Sequence, residues 1–379
     1  MIAACSRVMI LGTLAILAAG CGSRKPSMFT AQCVPLAKQE FAYALNTSNA
    51  DVSMFTLDSC AGTFTPTTPA SAATGILPGQ LGAEDMVVDP LGRFAYVANL
   101  VSNASSQSTI AMYTINPSSG VLSPTTPPTV PTGWFPQGIT IDPLGKFVYT
   151  ANSDDDTISM FTINATTGVL TPTTPAAVAA GKSPVSVTVH PSGKFAYAAN
   201  RVDGTISMYT IDSSTGVLSP VTPAAVSGGA DPFGITFDAS GKFAYVPDNF
   251  SHVIQYAVDQ NTGVLVQSTP GAVATGQGPT AVAVDPSGKF AYVVNRLDNT
   301  VSMFTINPAN GTLNPNGAAT TIATGTQPFR ILFDPGKRFL YVVNEESAAS
   351  VFTIKTDGTL ASAGKTGPAA LSMAIVSAR

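Results

Sequence analysis

A motif that returns about every fifty residues constrains this chain more than any other feature. It reads DPLGRFAYVAN (Asp89–Asn99), DPLGKFVYTAN (Asp142–Asn152) and HPSGKFAYAAN (His190–Asn200). It continues as DASGKFAYVPD (Asp238–Asp248), DPSGKFAYVVN (Asp285–Asn295) and DPGKRFLYVVN (Asp334–Asn344). A degenerate first copy is KQEFAYALN (Lys38–Asn46). The aligned phenylalanines are Phe41, Phe94, Phe147, Phe195, Phe243, Phe290 and Phe339, spaced 53, 53, 48, 48, 47 and 49 residues apart. A fixed period of this length, made of short strands, is the signature of propeller blades.

Each period reads as four strands. In the third full copy, SVTV is a short apolar inner strand and HPSG a tight turn, with Pro pre-set for its second position and Gly supplying positive φ. KFAYAAN is the second strand, RVDG a hairpin turn, TISMYTI the third strand, and VLSPVTP an outer strand where Pro costs no ladder bond. Composition agrees: charged residues are only 11%, while Gly (33) and Pro (29) are abundant, which disfavours long helices.

The ends complete the ring. The first copy has strands FAYALN, VSMFTL and GTFTP but no inner strand; the tail Pro368–Ile375 matches the inner-strand pattern of Pro136–Ile141, and Leu371–Val376 should complete the first blade. The expected fold is an all-β, seven-bladed β-propeller of four-stranded antiparallel blades. The C-terminal strand closes it by completing the first blade, which removes two exposed sheet edges.

Residues 1–20 read as a signal peptide, with an apolar run Val8–Ala19 too short to span a membrane. The run ends in Ala18-Ala19-Gly20-Cys21, which resembles a bacterial lipobox and makes Cys21 the expected lipid anchor. The alternative is an ordinary secretory signal that contains a cysteine. Residues 21–37 would be an anchor and linker, and 38–379 the propeller. The lipobox reading implies an exported lipoprotein, outer-membrane or periplasm-facing, touching the membrane only through its N-terminal lipid. In an exported chain, Cys33 and Cys60 read either as one disulfide or as two unrelated thiols, the bridge being favoured. A formal charge of −4 offers no basic surface for nucleic acid.

The pattern P-x-x-[IV]-x-[IVF]-D-P-x-G-[KR]-F-x-Y-V-x-N, followed by T-[IV]-S-M-[FY]-T-I-N-x-x-T-G-x-L, resembles the bacterial propeller lactonase family. That family includes 6-phosphogluconolactonase-like and YVTN repeat propellers. The resemblance runs from about Lys38 to Val376. It implies that the starts of the inner strands and the turns between second and third strands gather around one channel mouth. Residues that break the repeat there are the candidate ligand-binding groups: Glu84, Asp85, Trp134, Arg201, Asp231, Asp248, Arg296, Arg330 and Glu345. Such a mouth suits a small polar or anionic ligand. The competing structural reading pairs Arg201 with Asp203 and Arg296 with Asp298 within their own turns.

Family members commonly show Pro-Arg-His at one inner strand and Asn-Glu after the next. Here Asn344-Glu345 is kept, while the Arg-His pair reads Phe329-Arg330. The residue types still allow hydrolysis, with Arg330 on an oxyanion and Glu345 activating water. Of the two histidines, His190 replaces a turn Asp, and His252, aligned with Gly204 and Asn299, reads as a turn residue. Asp154-Asp155-Asp156 aligns with turn residues of other copies and lacks a spaced ligand series, so neither metal nor cofactor is expected. The leading expectation is a monomeric binding or scaffold module recognising a ligand or an envelope protein at its mouth. A lactone hydrolase and a purely structural surface module are the alternatives.

Overall fold

The computed structural model describes residues 38–46, 50–75, 82–100, 107–317 and 320–377. They form strands in seven antiparallel sheets, with no α-helix among the described residues. The fourth sheet is the pattern for the rest: inner strand Pro184–Val189, second Phe195–Asn200, third Thr205–Ile211 and outer Leu218–Ser227, hydrogen-bonded in that order. The first blade takes its inner strand from the C-terminus. Ser372–Ser377 runs antiparallel to Glu40–Asn46, with Phe41 opposite Val376 and Leu45 opposite Ser372. The expected ring closure is what the chain does.

The repeated residues act mainly between blades. Each second-strand Tyr donates its hydroxyl to the carbonyl of the Gly in the next blade's outer hairpin. Tyr43 reaches Gly120, Tyr149 reaches Gly216, and Tyr341 returns to Gly62 to complete the circle, at 2.8, 2.9 and 3.1 Å. The repeat Phe lies against the same Gly: a Cβ on Gly216, which has φ +77°, would overlap the Phe147 ring. The repeat Met is an acceptor, Met160 Sδ taking the N–H of Leu218 in the next blade at 3.2 Å. Hydrophobic clusters therefore straddle neighbouring blades rather than filling each one separately.

The turn Asp and the closing Asn are structural. Asp142 Oδ1 accepts the N–H groups of Lys146 and Phe147 at 2.5 and 2.7 Å, and Asp285 does the same for Lys289 and Phe290. His190, where this Asp is missing, is buried. Its Nδ1 meets Ser192 Oγ and its Nε2 the Gly241 carbonyl, both at 2.8 Å, confirming a structural role.

Two blades depart from the pattern. The inner strand of blade 5 shrinks to Thr236–Phe237, because its partner ends in Pro247, which has no N–H for the ladder. The outer strand of blade 6 is split into Leu313–Pro315 and Thr321–Ala323. Its chain is one residue longer there than the equivalent stretch of blade 4, and Asn316-Gly317 interrupts it. Cys60 is disulfide-bonded, while Cys21 and Cys33 lie outside the described residues.

Candidate active site at the channel mouth

The mouth is built by a repeated irregularity. In five of the inner strands the ladder register shifts just after the first residue, as between Ala83 and Asp85, Pro184 and Ser186, or Pro328 and Arg330. A bulge of this kind re-aims side chains, so two successive residues of each strand face the channel in two layers. The outer layer includes Glu84, Gln137, Val185, Phe233, Thr280, Phe329 and Leu371, which line a small recess with Arg330. The layer beneath is Gly138, Ser186, Gly234 and Ala281 over most of the ring, small residues that leave a cavity of about 420 Å³. Only blades 7, 1 and 2 differ there, with Arg330, Ser372 and Asp85.

Those three are consecutive around the ring and hydrogen-bonded as a unit. Arg330 Nη2 lies 3.1 Å from Asp85 Oδ2, and Ser372 Oγ donates to Asp85 Oδ1 at 2.7 Å. Asp85 Oδ1 also takes its neighbour's N–H, from Met86, at 2.9 Å. With the Ile139 N–H 3.4 Å from Oδ2, both carboxylate oxygens are engaged, which makes Asp85 a clamp for the guanidinium rather than a base. Arg330 keeps a buried Nε without a partner.

Glu84 sits beside this pair. Burial pushes its carboxyl above the ordinary carboxylate range, the charges of Asp85 and Glu345 push further in that direction, and Arg330 opposes them. A half-buried carboxylate held basic beside a guanidinium is the arrangement expected of a general base. Glu345 is differently committed: its Oε2 lies 2.7 Å from Arg296 Nη2, which also donates to Gln327 Oε1 at 2.8 Å. Phe233 and Phe329 meet edge to face, ring centres 5.4 Å apart, as an apolar shelf. The guanidinium carbons of Arg296 and Arg330 lie 5.7 and 5.6 Å from the Phe329 ring, and that of Arg201 lies 5.4 Å from Phe233.

The within-turn pairings of Arg201 and Arg296 are corrected by the structure. Arg201 binds Asp231 at 2.7 Å and Arg296 binds Glu345, both across blades. Asp203 and Asp298 instead accept the N–H groups of Lys182 and Gln277, each at 2.7 Å. Asp155 does the same for Trp134 at 2.6 Å, and Asp156 Oδ1 accepts the N–H of Ser183 at 2.7 Å. Trp134 is a rim residue, and Asp248 caps its own turn through the N–H groups of Phe250, Ser251 and His252. His252 is shifted by one position: it opens the third strand where Thr205 stands in blade 4, because the turn is one residue shorter. Of the expected site residues, Glu84, Asp85 and Arg330 converge, with Arg296 and Glu345 adjoining. Ser372 joins them without having been singled out in the sequence, although the tail's inner-strand pattern places it at the Asp85 position.

A family model described as "Lactonase, 7-bladed beta-propeller" matches residues 15–189, 171–270 and 265–376. The chain belongs to this lactonase family. Among solved structures, this lactonase-family chain is similar to a candidate 6-phosphogluconolactonase of Bacteroides fragilis, at 21% identity with a TM-score of 0.71, covering 93% of this chain and 100% of that one. It is similar also to the periplasmic gluconolactonase of Pseudomonas aeruginosa, at 20% identity and a TM-score of 0.70, covering 90% and 99%. At such identities these likenesses establish the propeller alone. No curated protein matches the chain.

Proposed function

We propose that this propeller hydrolyses a lactone at its channel mouth, a reading that displaces the scaffold role first expected from the sequence. The observation that carries it is the adjacency of Glu84, held basic by burial, and Arg330, held by Asp85 at the head of the cavity. Membership of the lactonase family supports it, as do neighbours whose names describe sugar-lactone hydrolysis.

The chemistry follows from these groups. A lactone ring resting against Phe233 and Phe329 would direct its carbonyl oxygen at the Arg330 guanidinium, which stabilises the oxyanion. Glu84 takes a proton from water as the water oxygen bonds to the carbonyl carbon. Collapse of the tetrahedral intermediate breaks the ring C–O bond, and Glu84 returns its proton to the departing alkoxide. The product is an open-chain hydroxy acid. Glu84 thus replaces Glu345 as the proposed base, because Glu345 is occupied by Arg296. A panel of lactones assayed with the wild-type protein and Arg330→Ala tests the proposal. Turnover that the substitution abolishes is expected, and turnover that survives it would reject this site.

The Ala18-Ala19-Gly20-Cys21 sequence supports export with lipid anchoring at Cys21. Labelling by radioactive palmitate, lost in Cys21→Ser, is the expected outcome; an unlabelled wild-type chain contradicts it.

A further inference from the structure

We infer that the site takes an uncharged, polyhydroxylated lactone and disfavours a phosphorylated one. The inference rests on the hydrolase reading and concerns its substrate class. It is carried by the distribution of charge and of hydrogen-bonding capacity, neither of which the overall charge reveals.

Acidic residues are gathered on the mouth face. The turns and loops there hold Asp154, Asp155, Asp203, Asp298 and Glu346 in addition to the carboxylates of the site. Carboxylates on this face outnumber basic side chains more than twofold, whereas on the opposite face the two are nearly balanced. The three mouth arginines do not offset this for an incoming anion. Arg201 is held by Asp231, Arg296 by Glu345 and Arg330 by Asp85. A phosphate dianion approaching the channel would therefore meet net repulsion without a cluster of free cations to receive it.

The cavity wall adds a second argument. Thr188 and Thr236 donate their hydroxyl hydrogens to the carbonyls of Ile235 and Val282 in the next blade, at 3.1 and 2.9 Å. Thr280 donates likewise to Phe329 at 3.0 Å. With their hydrogens committed, these oxygens can offer a ligand only acceptor lone pairs. Ser186 Oγ, on the same wall, is buried without a partner. The three threonine acceptors complement the hydroxyl donors of a sugar ring and not a phosphate, which is itself acceptor-only, while Ser186 Oγ and Arg330 Nε are the donors left for a ligand's oxygens. The same field favours turnover: a neutral lactone enters freely, while the carboxylate product is repelled outward.

The test compares glucono-δ-lactone with its 6-phosphate. At low ionic strength kcat/KM for the neutral lactone should exceed that for the phosphate ester at least tenfold, and added salt should narrow the gap by raising the phosphate value alone. Equal or better turnover of the phosphate ester overturns the inference and leaves the hydrolase reading standing. If neither lactone is turned over, the hydrolase reading fails, and calorimetric binding of gluconolactam against its 6-phosphate decides the charge preference. Tighter binding of the neutral lactam supports the inference. Equal or tighter binding of the phosphate, or binding of neither, overturns it.

Discussion

On one face of the ring, three blades turn through Asp-Pro-x-Gly and three more through close variants of it, and the Asp spends its oxygens on its own turn. On the other face the blades start from the same strands but carry residues that break the repeat, among them Glu84, Trp134, Phe233 and Phe329. Each face holds a carboxyl that desolvation pushes above its ordinary range, Glu40 on one and the half-buried Glu84 on the other, and the two differ in what surrounds them. Glu40, at the ring-closing seam, is 1% exposed and accepts the Gly336 N–H at 3.0 Å, between the opposing charges of Asp334 and Arg338, and it does not line the seam cavity bounded by Lys38, Pro335 and Ser377. Glu84 has Arg330, an aromatic shelf and an open channel beside it. A raised carboxyl alone therefore does not mark a site. A raised carboxyl that itself lines a cavity together with a guanidinium does.

The largest expected effect is at the mouth. Glu84→Gln or Arg330→Ala should each lower kcat/KM for a hydrolysed lactone by about 10²–10³-fold, with little change in melting temperature for Glu84→Gln and a lowered one for Arg330→Ala, which strips the buried Asp85 of its cation. Next comes the repeat itself: Gly216→Ala should destabilise the fold by about 3 kcal/mol, since it combines positive φ with overlap on Phe147. A denaturant midpoint unchanged from wild type would show that the inter-blade contact is dispensable.

The seam carboxyl should affect stability and not turnover. Burial first, and then the Asp334 charge, raise Glu40 to about 7. The folded protein thus binds the proton more tightly than the unfolded chain does. Its contribution is fully present below pH 4.5 and is lost as pH rises toward 7. Glu40→Gln should therefore stabilise the protein by about 2 kcal/mol at pH 8 and hardly at all at pH 4. An equal effect at both would remove ionisation as the cause. Smaller still, Ser372→Ala should loosen Asp85 and lower kcat by several-fold, with recovery in Ser372→Thr. Arg201→Ala, which breaks a half-exposed ion pair, should cost under about 1 kcal/mol and leave turnover of a neutral lactone unchanged.

The blades, their number and the closing strand were legible because each depends on residues close together in sequence. A Tyr, a turn Gly and an alternating strand recur in every period and can be aligned without knowing what they touch. The site was legible in its members apart from Ser372, but not in its pairings. Arg296 and Glu345 are 49 residues apart and Ser372 and Asp85 are 287 apart, so local reasoning paired Arg296 with the Asp298 of its own turn. Blade-to-blade contacts join positions one period apart, and the closing blade joins the two ends. The Arg296 contact distinguished Glu345 from Glu84, and that contact joins two blades.

The account rests on Glu84 acting as the base at a mouth where burial raises its carboxyl. The most direct test is the pH dependence of kcat/KM for a neutral lactone, measured for the wild type and Glu84→Gln. The wild type should show activity rising with pH through a limb above the ordinary carboxylate range, and the variant should lack that limb along with most of the rate. A variant that keeps both the limb and the rate would contradict the account.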